Sequence, residues 1–301
     1  MSILQEQVKD VEDKIKIREY LKAKLELSTR LIRSASKDQR IFVNNQVVRM
    51  NYMVKTGDVI KIDLDKDEGQ DIIPEKMDLD IVYEDEDILV INKKPFMIVH
   101  PTKNHRSGTL ANGILNYFQE TNQKCIVRLV SRLDMNTSGL IIIAKNQFSH
   151  GTLSKDMKEK LQKRYLAVVH GNLKEKEGTI DLPIYKPEGL EYGNVRVVDE
   201  RGQRSITHYK VIKSFEHGDL VECLLETGRT HQIRVHLSHL GYPIYGDTLY
   251  GHGEEEEDLI KRQALHAYGL DFNSPRCGEM LSLRADLPED IKELLEKIKR
   301  L

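Results

Sequence analysis

The chain has 301 residues, of which 39% are hydrophobic and 31% charged, with a formal net charge of −2. That balance describes a globular chain long enough for about two domains, and it excludes a helical membrane protein, because no run approaches the ~18 apolar residues that a membrane helix needs. Cys125, Cys223 and Cys277 lie far apart and are odd in number, which argues against a metal spacing or a disulfide framework; the first residues lack the basic stretch and apolar core of a signal peptide, so a cytoplasmic location is expected.

In chain order, residues 13–64 read as a small unit. Ile17, Tyr20, Leu21 and Lys24 follow helical spacing, and Ser28 caps a second helix that begins Thr29-Arg30-Leu31. Ile41-Phe42-Val43 and Gln46-Val47-Val48 flank Asn44-Asn45, a two-residue hairpin turn. Thr56-Gly57-Asp58 turns into a strand at 59–63. The helical half is basic, with Arg18, Lys22, Lys24, Arg30, Arg33, Lys37 and Arg40. The net charge alone counts against nucleic-acid binding, but the acids are bunched at 254–258 and within 78–87, and these runs mask basic stretches elsewhere.

Residues 65–79 are polar and read as a linker. From 80 to 301 the pattern changes to many strands and few helices. Strands are expected at 81–83 and 88–91 around an acidic turn, then at 140–145, 164–170, 205–212 and 220–226. A helix is expected over 230–240, and Ile291, Leu294, Leu295 and Ile298 mark a C-terminal amphipathic helix with Pro288 near its first turn. The absence of regular βαβ alternation points to an α+β fold with a mixed or antiparallel sheet.

Three segments carry residues suited to chemistry. In Ser131-Arg132-Leu133-Asp134-Met135-Asn136-Thr137-Ser138-Gly139-Leu140, one carboxylate stands beside an arginine before a Thr-Ser-Gly turn and an apolar strand. Asp134 is either a turn or cap residue or a reacting acid, and the second role needs a cation to keep it ionised. Thr227-Gly228-Arg229-Thr230-His231-Gln232-Ile233-Arg234-Val235-His236-Leu237 offers one: Arg234 on the first turns of a helix could clamp a carboxylate or make a surface ion pair. The spacing of His231, His236 and His239 is not that of a zinc site. In Lys163-Arg164-Tyr165-Leu166-Ala167, alternation turns Tyr165 to one face, where it packs in the core or stacks on a ligand.

Together these segments resemble the RluA-type pseudouridine synthases, in particular the RluD-like large-subunit ribosomal RNA branch that carries an S4-like RNA-binding domain. The resemblance rests on 132–140 and 227–237, on Gly246-Asp247 and Tyr250-Gly251, on Lys163-x-Tyr165-x-Ala167, on Thr207-x-Tyr209 and on Ala264-Leu265-His266-Ala267. It implies a mixed-sheet catalytic domain over 80–301, a small α/β S4-like domain over 13–64 and a linker over 65–79. It implies an isomerase that needs no cofactor and no metal, with Asp134 as the catalytic carboxylate, Arg234 as its ion-pair partner and Tyr165 stacking on the target base, with a further part in proton removal at C5. Arg132, Arg229, Arg18, Arg30, Arg33 and Lys37 are the expected RNA-binding residues. RNA is the expected partner, with 23S-type ribosomal RNA or a ribosome precursor favoured, no membrane, and a monomer favoured. Alternatives are the same activity on transfer RNA, or an inactive RNA-binding or ribosome-assembly factor; a glycosidase would want a second acid paired with Asp134. The chain departs from the family pattern at Ser131 (often His), Asn136 (often Asp), Lys94 (usually Pro) and Phe96 (usually Gly). Phe lacks the backbone freedom of Gly, so the loop at Phe96 is expected to differ.

Overall fold

The computed structural model describes residues 2–9, 15–66, 69–156, 160–189 and 193–299. Asp13 and Lys14, Asp67 and Glu68, and Arg300 and Leu301, which belong to the three expected segments, lie outside the described residues.

The N-terminal part builds its own sheet and core. β1 (Ile3–Gln7) is followed by α1 (Ile17–Ala23), α2 (Thr29–Lys37), β2 (Ile41–Val43), β3 (Gln46–Val47) and β4 (Val59–Asp63), with strand order β1-β4-β2-β3. Ile17 and Leu21 of α1 and Leu31, Ile32 and Ala35 of α2 bury the apolar stripe that helical spacing creates, against Ile41, Val43, Ile60 and Ile62. The Ser28 hydroxyl accepts from Leu31 N at 3.1 Å, a cap worth about 1 kcal/mol. Asn44 and Asn45 both have positive φ (50° and 67°), as the hairpin requires. β1 escapes sequence reading: it pairs on one side only, so its five residues alternate between exposed and half-buried and stay polar.

The larger part is built on β5 (Ile81–Glu84), β6 (Ile88–Lys93), α3 (Leu110–Glu120), β7 (Arg128–Leu129), β8 (Ser138–Ala144), α4 (Gln147–Asp156), β9 (Gln162–His170), β10 (Glu177–Asp181), β11 (Ile184–Tyr185), β12 (Val197–Val198), β13 (Ile206–Ser214), β14 (Gly218–Leu225), α5 (Gln232–His239), β15 (Leu265–Asn273), β16 (Met280–Arg284) and α6 (Glu289–Lys297). Among the described residues, ten strands form one mixed sheet, with the path β10-β13-β14-β9-β15-β8-β6-β5 and with β16 on β15 and β7 on β8. Its pairs are antiparallel apart from β15 against β8. β8 lies at the centre with all seven residues buried. Ile141 and Ile143 pack with Ile114 and Phe118 of α3 on one face, and Leu140 and Ile142 with Leu153 of α4 and Phe272 on the other. A strand covered on both faces reads as a continuous apolar run.

The segment expected as a linker carries no helix or strand among its described residues, but it is tied down. Gln70 exchanges two hydrogen bonds with the Val127 backbone (3.1 and 2.9 Å), and Ile72 is buried in the larger core. Arg276 joins the two sheets: Nε donates to Asp87 at 2.8 Å, while Nη1 and Nη2 reach Ile3 O and Ser2 Oγ at 2.6 and 2.8 Å. Phe96 adopts φ +61° despite its side chain, so this loop takes the left-handed conformation that Gly would take, against the expectation of a different backbone there. Such a residue stores about 1–3 kcal/mol of strain.

Candidate active site

The loop 132–137 leads into β8, and its anchoring explains how one acid is held. The chain reverses at 134–137, where Thr137 N donates to Asp134 O at 3.1 Å. Ser138 and Gly139, expected in the turn, already belong to β8. Gly139 is needed for the close parallel approach of β15: at φ +115°, a Cβ there would lie 2.3 Å from Ala267 O.

Two buried cations seat the loop by its carbonyls. Lys93 Nζ donates to Met135 O at 2.9 Å and to Lys94 O and Met97 O at 2.9 and 3.1 Å. Burial draws its pKa down to about 7, with Arg262 acting in the same direction and Asp134 opposing. Arg262, fully buried, donates to Asn136 O at 3.1 Å and forks onto Asp290 of α6 at 2.6 and 2.9 Å. Gln263 Nε2 reaches Thr137 Oγ1 at 3.2 Å, and Ser138 Oγ lies 2.9 Å from His266 Nδ1.

That buried His266 carries a pH dependence. Burial pushes its pKa down from 6.5 to about 4. Between those values the unfolded chain takes up a proton that the folded one refuses, so stability falls as pH drops, by about 3 kcal/mol in all. His266→Gln is expected to flatten the acid limb of Tm against pH between 6.5 and 4; curves parallel to those of the unaltered chain would contradict this.

Asp134 and Arg234 meet across the cleft, with Nη1 of Arg234 3.1 Å from Asp134 Oδ2. The remaining edge of the guanidinium forks onto Asp247, Nε to Oδ2 and Nη2 to Oδ1, both at 2.7 Å. Asp247 is fully buried and also accepts from Leu249 N and Tyr250 N at 3.0 and 3.1 Å. Burial opposes the charge on Arg234, but the Asp247 fork and then Asp134 outweigh it and raise its pKa. One arginine thus joins a buried acid that holds it in place to a partly exposed acid that faces the cleft.

α5 opens at Gln232, two residues later than expected, because His231 has φ +58°. Arg196 N donates to Tyr250 Oη at 2.9 Å, and His231 Nδ1 stands 2.8 Å from the same oxygen. The other ring nitrogen, Nε2, stands 3.8 Å from Asp134 Oδ2. His236 is spent elsewhere, with Nδ1 on Thr207 Oγ1 and Nε2 on Leu182 O at 2.9 and 3.0 Å.

Asp134, Arg234 and Tyr165 line one cleft of about 60 Å³, together with Arg132, Arg229 and His231. Tyr165 is 8% exposed. Burial, and then the charge of Asp134, push its phenol above the usual range, so the hydroxyl keeps its proton at neutral pH. Arg132 and Arg229 stand exposed at the mouth. Arg18, Arg30, Arg33 and Lys37 lie outside this cleft, exposed on α1 and α2. Asp247, Lys93 and Arg262 were not singled out from the sequence. Gly246-Asp247 contributes to the family resemblance, but an Asp after a Gly reads equally as a turn residue.

Known proteins resemble this chain in sequence and in fold. A family model described as RNA pseudouridylate synthase matches residues 87–239. The chain is 40% identical over 268 residues to a Bacillus subtilis protein named "Uncharacterized RNA pseudouridine synthase YlyB", covering 88% of this chain and 87% of that one. It is 41% identical over 238 residues to the "Ribosomal large subunit pseudouridine synthase D" of Buchnera aphidicola, covering 75% of each. Among solved structures, "Human RNA Pseudouridylate Synthase Domain Containing 1" superposes with a TM-score of 0.58 at 25% identity, over 78% of this chain and 98% of that one.

Proposed function

This chain belongs to the RNA pseudouridylate synthase family and is a pseudouridine synthase acting on RNA, and from that premise we propose that it isomerises specific uridines of large-subunit ribosomal RNA with Asp134 as the reacting carboxylate. The observation that carries the proposal is the Asp134–Arg234–Asp247 array beside the buried Tyr165. The reaction detaches uracil from C1′ at N1, turns it, and rejoins it through C5. Asp134 either attacks C1′ or removes a sugar proton to give a glycal-type intermediate. Arg234 aims the carboxylate through the 3.1 Å bond from its Nη1. Tyr165 offers its ring as a stacking face, and its protonated hydroxyl suits hydrogen bonding better than proton abstraction as a free phenolate. A base inside a helix is out of reach, so the nucleotide is flipped at a cost of a few kcal/mol, offset by Arg132 and Arg229 at the mouth.

The ribosomal substrate draws support from relatives such as the Buchnera protein, whose name specifies the large subunit, and from an N-terminal part with two helices and a small sheet, as in an S4-like RNA-binding domain. Arg18, Arg30, Arg33 and Lys37 would there hold RNA backbone. Replacing these four by Ala, or deleting residues 1–64, is expected to weaken RNA binding and to reduce the slope of log K against log salt by about 0.7–0.9 for each phosphate no longer neutralised. Unchanged affinity across salt would remove that role.

The reading is tested by tritium release from RNA labelled at uridine C5, comparing large-subunit ribosomal transcripts with transfer RNA. Release from the ribosomal transcript is expected. Release from transfer RNA alone would redirect the substrate, and none from any cellular RNA would leave only a binding module.

A further inference from the structure

Beside the cleft stands a cation that none of the roles above uses. Lys163 lies two residues before Tyr165 on β9, so the two side chains leave the same face of the sheet. It is 5% exposed. Burial alone acts on its ammonium, drawing the pKa down, and no carboxylate or hydrogen bond among the described residues opposes that. Its strand partners are Leu270 on β15 and Leu225 on β14, and Leu225 lines the cleft.

Its position relative to the 227–232 loop is specific. The Nζ atom comes up beneath Gly228, where a Cβ would lie 3.2 Å from it. Gly228 is exposed, so the ammonium sits one side-chain-free residue below the surface, next in sequence to Arg229. The loop around it is stiff: Gln232 Oε1 accepts from Thr227 Oγ1 at 2.9 Å and from Arg229 N at 3.0 Å. A buried cation without a partner is costly, and an apolar side chain of similar length would remove that cost. A lysine is useful in such a place when a ligand supplies the anion.

We propose that Lys163 and Arg229 form an anion subsite beside the base pocket, at Gly228 of the 227–232 loop, and that its ligand is a phosphodiester oxygen of the RNA strand that delivers the target nucleotide. This rests on the pseudouridine synthase reading of the same cleft. The phosphodiester is the anionic group of RNA, and it meets two cations here, one buried and one exposed at the mouth. A contact to an ammonium that is already desolvated is worth more than one to a freely hydrated side chain. The subsite would fix the strand on the Tyr165 side of the cleft, where flipping needs a fixed backbone.

The test uses the full chain and an RNA that the unaltered enzyme turns over in the tritium assay. Lys163→Met is expected to raise Kd and KM about tenfold, more than it lowers kcat, and to reduce the salt slope by about 0.7. Lys163→Arg is expected to keep most of the affinity and the slope. In a scan of single methylphosphonates along the RNA, one position is expected to cost the unaltered enzyme about tenfold and Lys163→Met almost nothing. Equal costs at every position in both proteins would overturn the subsite, as would an unchanged Kd and salt slope in Lys163→Met. If Lys163→Met fails to fold, the same scan on Lys163→Gln decides. Absence of tritium release by the unaltered enzyme from any RNA would instead overturn the reading on which the subsite rests.

Discussion

Asp134→Asn is expected to abolish pseudouridine formation, lowering kcat by about 10⁴-fold or more, the order seen when a single reacting group is removed from an active site. The amide keeps the shape of the carboxylate but neither attacks C1′ nor takes a proton. The fold should tolerate it. The Asp134 side chain is 28% exposed, and Arg234 retains both bonds to Asp247. A partly exposed ion pair contributes at most about 1 kcal/mol, so Tm should shift little, and RNA binding should stay within a few fold. Tritium release, thermal melting and filter binding on the same preparation separate these effects. Residual activity above about 1% would show that another group reacts. A large loss of Tm would show that the carboxylate is there to hold the loop.

The parts of this site legible in the sequence are those where one residue type in one local pattern has few uses. Alternation along 164–170 turns Tyr165 inward, and the structure buries it in the cleft. Arg234 at an early helical position faces Asp134 as a clamp would. The shared anchor could not be read. Asp247 is 13 residues from Arg234 along the chain and looks like a turn acid until the fold brings it under the guanidinium. Lys93 and Arg262 look like surface cations, because nothing local announces that they will be buried against backbone carbonyls of the loop 134–137. Phe96 misleads in the opposite direction. Its side chain argues against a left-handed backbone, yet Met97 N reaches Met135 O at 3.2 Å and the neighbouring Lys93 ammonium binds Met97 O, so tertiary bonds hold φ at +61°. In the fold, α3 and α4 both stand outside the elements expected from the sequence; α4 buries only Ser149, Leu153 and Asp156, too weak a stripe to show as periodicity.

Asp247→Ala should be the most destabilising single change at the site, and it separates holding Arg234 from using it. Removing one partner of a buried pair strands the other: Arg234, at 5% exposure, would keep Asp134 alone. Breaking such a pair costs about 3–5 kcal/mol, a large part of the stability of a domain. Activity should fall as well, by about 10²-fold, because a guanidinium freed from its fork lets Asp134 shift by the order of an ångström. The two losses have different origins, and a second substitution tells them apart. In Asp247→Leu with Arg234→Met the buried charges are gone together, and replacing a whole buried pair by apolar side chains is commonly neutral or stabilising. The double variant should therefore melt above Asp247→Ala, a strong departure from additivity, while its activity stays as low or lower. Recovery of activity along with Tm would mean that Arg234 serves the fold alone. A double variant that melts as low as Asp247→Ala would place the role of Asp247 in its bonds to Leu249 N and Tyr250 N instead.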